Sequence, residues 1–144
     1  NALMGGEESG GFGFRGHIPE RDGILSGLFI ADMMVQMNKK PSQLIEYLYS
    51  KVGPHYYRRD DIVFDPSRRN IILEKISSIS INSIGGINIS RLDQLDGTRL
   101  LLEDGSWLAI RFSGTEPLLR IYSESNSNDQ VDTLISEARA LIGV

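Results

Sequence analysis

Apolar positions recur along this chain with two different periods, and the change of period divides it. Between residues 24 and 38, Leu25, Leu28, Phe29, Met33 and Met37 recur every three or four positions. That is one face of an α-helix. The methionines there read as adaptable core filler. Lys39-Lys40-Pro41 ends this helix, and Pro41-Ser42-Gln43 starts another, because proline suits a first helical turn. Leu44, Ile45, Leu48 and Val52 give the second helix its apolar stripe, and Gly53-Pro54 stops it.

Past Gly53-Pro54-His55 the chain reads differently. Residues 56–64 predict a strand with charges, Arg58 to Asp61, in its middle. Asp65-Pro66 opens a helix with Asp as cap and Pro in the first turn. Ile72, Ile76 and Ile79 form its buried stripe. Gly85-Gly86 is a turn. Strands follow at 87–95, 98–103, 106–112 and 118–124, punctuated by Asp96-Gly97 and Asp104-Gly105. Asp-Gly pairs are strong hairpin signals. Asn126-Ser127-Asn128 caps a last helix, with Gln130 at capping-box spacing from Ser127. Val131, Leu134, Ile135, Ala138, Leu141 and Ile142 fall on one of its faces. The pattern predicts an α+β fold from about residue 54: an antiparallel sheet covered on one face by two helices, in two layers.

The stretch between the last two strands carries the chemistry. Arg111-Phe112-Ser113-Gly114-Thr115-Glu116-Pro117-Leu118-Leu119-Arg120 sets a tight loop between two arginines. Ser113 and Thr115 offer O–H donors, and Gly114 lets a ligand approach the backbone. Successive N–H groups in such a turn form an anion nest. Guanidinium suits planar, bidentate oxyanions, so phosphate is the natural ligand. Taken alone, the loop reads equally as an empty turn. The second arginine tips the reading: paired strands bring Arg111 and Arg120 together, where they repel unless an anion or water intervenes.

Arg-x-Ser-Gly-Thr-Glu-Pro followed by Leu-Leu-Arg-Ile-Tyr resembles the phosphate-binding loop in the last domain of the α-D-phosphohexomutases, the phosphoglucomutases, phosphomannomutases and their amino-sugar relatives. Gly5-Gly6-Glu7-Glu8-Ser9-Gly10-Gly11 is similar to the sugar-binding loop of that family's third domain. The two motifs stand in the family's order. The resemblance covers the whole chain as the tail of such an enzyme: 1–53 as the helical remnant of an α/β sugar-binding domain, 54–144 as the phosphate-binding domain. It implies that Arg111, Ser113, Gly114, Thr115 and Arg120 hold the phosphate that does not react. It implies that Glu7 and Ser9 contact sugar hydroxyls, and that Arg21 stands where relatives place a substrate-reaching cation. Some amino-sugar and phosphomannomutase-like members carry His where this chain has Gly11, and the departure leans towards the phosphoglucomutase-like branch. Without the resemblance, residues 1–21 read as a loose glycine-rich end.

The resemblance implies an intramolecular phosphotransferase moving phosphate between O1 and O6 of glucose or mannose, through a bisphosphorylated sugar. The family's phosphoserine loop and its Asp-rich Mg²⁺ loop do not occur in these 144 residues. The expectation is therefore a substrate-holding portion with no catalytic residue and no metal ligand of its own, inactive alone, partnered by upstream domains of the same chain and by hexose phosphates and bisphosphates. Phosphoglucosamine mutase, a non-catalytic phosphosugar-binding module and a structural domain with an empty turn are the alternatives.

Composition narrows this further. With 40% hydrophobic and 24% charged residues the chain is of ordinary globular type. A net charge of −4 disfavours a dedicated nucleic-acid partner. There is no cysteine, hence no disulfide or thiolate metal site, which fits a cytoplasmic protein. The longest apolar run is too short for a membrane span, and the start, Asn1-Ala2-Leu3-Met4, lacks a signal peptide's features and reads as a cut fragment. His17 and His55 lack carboxylate or serine partners at a diagnostic spacing and read as surface residues. Asp60-Asp61 reads as the solvated edge of a strand, and Arg68-Arg69 as a solvated helix face.

Overall fold

The computed structural model describes residues 2–7, 10–114 and 116–144, in two units, 1–52 and 53–144. The first unit opens on a hairpin. Strands β1 (Met4–Gly6) and β2 (Phe12–Phe14) pair antiparallel, with Gly5 opposite Gly13. No alternation of side chains announces this pair, because glycine has none to alternate. Helix α1 (Gly23–Met37) follows, capped by Asp22, whose carboxylate accepts the Leu25 N–H at 2.9 Å. The Phe14 and Phe29 ring centroids lie 4.9 Å apart and tie hairpin to helix. Helix α2 is Pro41–Val52. Of its apolar stripe only Leu44 is buried; Ile45, Leu48 and Val52 are half exposed or more.

The second unit is a six-stranded antiparallel sheet with two helices. Its strands are β3 (Tyr56–Val63), β4 (Ser83–Ile84), β5 (Ile87–Asp93), β6 (Thr98–Leu102), β7 (Trp107–Phe112) and β8 (Leu118–Ser125), in the order β3-β8-β7-β6-β5-β4. The two-residue β4 is too short to leave a pattern in the sequence. Asp65 caps a short 3₁₀ turn (Pro66–Arg68) that leads into α3 (Arg69–Ser77). Helix α4 is Asn128–Ile142.

Side chains on β7 and β8 alternate as the pleat requires. Leu108, Ile110, Leu119 and Ile121 are at most 1% exposed and face the helices. There they meet Ile72 and Ile76 of α3 and Val131, Leu134, Ile135, Ala138 and Ile142 of α4. Burying side chains of this size stabilises by about 1.5–3 kcal/mol each. Leu141, expected in the same stripe, lies at its margin and is 38% exposed. Ser127 caps α4 by accepting the Gln130 N–H. Instead of closing a capping box, the Gln130 amide donates to the Gly85 carbonyl at 2.8 Å, tying α4 to the β4–β5 turn.

Several charges expected in water have partners. On edge strand β3, Asp60 pairs with Arg139 of α4 at 2.5 Å and Arg58 pairs with Asp132. Arg69 lies 4.6 Å from the Phe112 ring centroid, and Arg68 donates to the Gly143 carbonyl. Both histidines have carboxylate partners as well: His17 meets Asp22 at 2.7 Å and His55 meets Glu124 at 3.0 Å. The second pair spans 69 residues of chain, which is why spacing did not show it.

Candidate functional site

The β7–β8 register places Arg111 directly opposite Arg120. Cross-strand partners stand with Cβ atoms about 4.5–5.5 Å apart. Both project from the sheet face opposite the helices, since their neighbours Ile110 and Ile121 are core residues. The strands close into the loop through the Ser113 N–H, which donates to the Leu118 carbonyl at 2.8 Å, and the Leu118 N–H, which donates to the Glu116 carbonyl at 2.8 Å.

Two like charges held face to face need compensation. Carboxylates supply it. Asp96, on the turn between β5 and β6, accepts from Arg111 Nη1 at 2.6 Å. Glu116, inside the loop, accepts from Arg120 Nη2 at 3.0 Å. Asp61, the register partner of Arg120 on β3, lies 3.8 Å from Arg120 Nε and pairs at 3.0 Å with Arg59. Beneath the couple lies Tyr122, its ring centroid 5.8 Å from the Arg111 guanidinium carbon. Tyr122 first, and Asp96 after it, strengthen the hold of Arg111 on its proton against a partial loss of hydration. Tyr122 does the same for Arg120, ahead of Asp61 and Glu116.

Three polar atoms around this loop are buried and without a hydrogen-bond partner among the described residues: Arg111 Nε, Arg120 Nε and Ser113 Oγ. A buried unpaired donor costs about 1–3 kcal/mol, more when charged. Two of the three belong to cations, and such donors suit an anion's oxygens. Above Gly114 the space is open, for a Cβ built there meets no atom within 4 Å. Of the five residues expected to hold phosphate, Arg111, Ser113, Gly114 and Arg120 come together. Thr115 lies outside the described residues.

The expected sugar contacts lie in the first unit. Arg21 Nη1 donates to Glu7 Oε2 at 2.8 Å, and Arg21 Nε donates to Glu20 at 3.1 Å. Glu20 first and Glu7 second raise the pKa of Arg21. Gly11 makes room for this arrangement: a Cβ there would stand 2.6 Å from Arg21 Cδ. A side chain at position 11 and an Arg21 laid across the loop compete for one space. Ser9 lies outside the described residues. Among the described residues no group of three His, Asp or Glu side chains is arranged to hold a metal ion, and no helix is long and apolar enough to cross a membrane.

Comparison with known proteins adds family context. Residues 1–52 match the family model "Phosphoglucomutase/phosphomannomutase, alpha/beta/alpha domain III", and residues 69–141 match "Phosphoglucomutase/phosphomannomutase, C-terminal domain". A phosphoglucomutase/phosphomannomutase of Thermococcus kodakarensis is 34% identical over 130 residues, 90% of this chain and 26% of its own. A phosphoglucosamine mutase of Methanocaldococcus jannaschii is 31% identical over 142 residues, 99% of this chain and 30% of its own. The chain thus spans under a third of the length of these relatives. A crystal structure of a phosphoglucomutase/phosphomannomutase family protein from Burkholderia thailandensis superposes over 98% of this chain and 28% of its own, with TM-score 0.68 and 17% identity, a likeness of fold.

Proposed function

Since this chain belongs to the phosphoglucomutase/phosphomannomutase family, we propose that it is the substrate-holding portion of an enzyme that interconverts hexose 1-phosphate and hexose 6-phosphate. One observation carries the reading: Arg111 Nε, Arg120 Nε and Ser113 Oγ are buried around an open glycine with no hydrogen-bond partner among the described residues. A phosphate oxygen accepts from each kind of donor, and its charge offsets the facing arginines. Thr115 and the Gly114 N–H complete the cage. In the other unit Glu7, Ser9 and Arg21 read the sugar.

The role is positioning. Phosphoryl transfer depends on holding the reacting groups in line and on neutralising charge. This loop grips the phosphate that does not react and so fixes where the other end of the sugar points. When Mg²⁺ is bound in the whole enzyme, it stabilises charge on the transferring phosphoryl group; its ligands and the phosphoserine belong to segments outside these residues. The chain alone therefore has no mutase activity, and a coupled assay from glucose 1-phosphate gives background rates.

Gly11 leans towards the phosphoglucomutase-like branch, and so towards glucose as the sugar. A second reading, glucosamine, is favoured by the phosphoglucosamine mutases among the relatives, such as that of M. jannaschii. Rates of the full-length enzyme on the 1-phosphates of glucose, mannose and glucosamine decide between them. The grip is tested by Arg111→Lys in that enzyme. Lysine keeps the charge and loses the bidentate fork. Loss of a charge-assisted bond of about 1.5–3 kcal/mol raises KM roughly ten- to a hundredfold with a smaller change in kcat. An unchanged KM contradicts the assignment.

A further inference from the structure

Resting on the phosphate reading above, we propose that Asp96 is a built-in counter-anion of the site, which weakens the hold of Arg111 on a bound phosphate. Asp96 is not part of the loop. It sits 15 residues before Arg111, on the turn joining β5 and β6, and takes Nη1 of the guanidinium at 2.6 Å.

The backbone delivers it there. Gly97, with φ +80°, is pressed so tightly on β7 that a Cβ would stand 2.3 Å from the Ile110 carbonyl oxygen and 2.6 Å from Arg111 Cβ. Only glycine adopts this conformation freely and leaves that gap unfilled. The turn is thereby fixed against the strand that carries Arg111, and a short carboxylate beside Gly97 reaches the cation without searching.

Fold stability does not explain the contact. The Asp96 side chain is 76% exposed, and exposed ion pairs contribute little. Its effect falls on the ligand. The planar guanidinium carries Nη1 away from the edge that bears Nε, and Nε is the buried atom with no hydrogen-bond partner among the described residues. Carboxylate and phosphate therefore share one cation from two sides. Glu116 offsets the charge of Arg120 as well, through Nη2, which lies on the same edge as Nε. An incoming dianion meets two arginines whose charge two carboxylates already offset, and it is repelled by both. Such a site binds in the moderate range and lets go. That suits a phosphate grip that must release a bisphosphorylated intermediate so that its other end can react.

The sign of the effect separates this from a structural role. Removing a residue that merely supports Arg111 weakens binding or leaves it alone. Removing a counter-anion tightens it. Asp96→Asn is the variant of choice, because Asn-Gly makes the same turns as Asp-Gly. The 144-residue chain, wild type and variant, is titrated with glucose 6-phosphate at low ionic strength, following the amide resonances of Ser113 and Gly114. Asp96→Asn should lower Kd by about three- to tenfold, the scale of Coulomb terms at a wet surface. The gap should narrow in molar salt, where the screening length falls to about 3 Å. Asp96→Glu, which keeps the charge, should stay near wild type. Equal or weaker binding by Asp96→Asn, with its amide spectrum otherwise native, overturns the proposal while leaving the phosphate grip intact. If neither protein responds to tens of millimolar ligand, the phosphate reading fails and this inference falls with it.

Discussion

Residues 1–52 and 53–144 treat apolar surface in opposite ways. In the second unit the sheet and two helices bury sixteen of the described residues in one cluster. In the first, Leu44 is the one buried apolar residue among those described, and Ile24, Leu28, Ile30 and Val35 of α1 are more than half exposed. Both units have capped helices and paired strands. The difference is therefore not in local structure but in what the local structure is packed against. A helix with a free apolar face gains little from burial. The second unit has the means to hold its own fold; the first has the shape of an element without its core.

Core truncation should show this contrast most strongly. Leu134→Ala in α4 removes a side chain that is fully buried and should cost about 2–5 kcal/mol. Leu28→Ala in α1, at a position 63% exposed, should stay within about 0.5 kcal/mol. Urea unfolding of both variants reads the difference, and equal costs break the comparison.

Hydrogen exchange sharpens it. Amides of β7 should exchange only through large-scale opening, and those of β1 and β2 through local opening, far faster. Equal protection in the two sheets contradicts the contrast.

Caps provide a finer test, since the chemistry is matched. Ser127→Ala should lower the unfolding free energy of the second unit by about 1 kcal/mol. Asp22→Ala, at the same kind of cap on α1, should fray the helix locally and leave the main urea transition in place. A shift of that transition as large as for Ser127→Ala breaks the distinction.

The smallest effect is the response to acid. Asp22 has a lowered pKa chiefly because it accepts the Leu25 N–H and then because of His17. Asp65 has a lowered pKa through the Ser67 N–H, and Asp93 through the Leu95 N–H and then Arg99. A carboxylate whose folded pKa lies below its unfolded value stabilises above that unfolded value, near 3.9, and ceases to as pH falls through the folded one. Acid below about pH 4 should therefore weaken the α1 cap locally in the first unit and lower global stability in the second. Carboxyl carbon titrations beside unfolding curves check both. A midpoint for Asp65 or Asp93 at or above 3.9 contradicts the reading.

Much of this was legible in the sequence, and what was not shares a cause. The helical stripe of α4 showed because Val131, Leu134, Ile135 and Ala138 repeat at helical spacing. The hairpins at Gly97 and Gly105 showed because both glycines adopt positive φ, +80° and +88°. The couple of Arg111 and Arg120 followed from pairing the strands on either side of one loop. Hidden from the sequence were contacts between separate elements: His55 with Glu124, Arg69 with Phe112, Asp96 with Arg111. Asp96-Gly97 signals a turn, and nothing in the two letters says which cation the turn will face. The hairpin at residues 4–14 stayed hidden for another reason: Gly5 and Gly13 face each other without side chains to alternate.

The phosphate grip is tested most directly by titrating the 144-residue chain with glucose 6-phosphate and, separately, with glucose, while following backbone amides. Affinity should be weak, on the order of millimolar, because the loop is exposed and contributes few of the contacts a closed cleft would offer. The phosphorylated sugar should shift the amides of Ser113, Gly114 and Glu116 and the Nε–H signals of Arg111 and Arg120, and glucose should leave them in place. Gly114→Val, which fills the open space above the loop, should keep the native spectrum and abolish those shifts. If Gly114 does not respond at tens of millimolar glucose 6-phosphate, or responds equally to glucose, the loop is a turn and holds no phosphate.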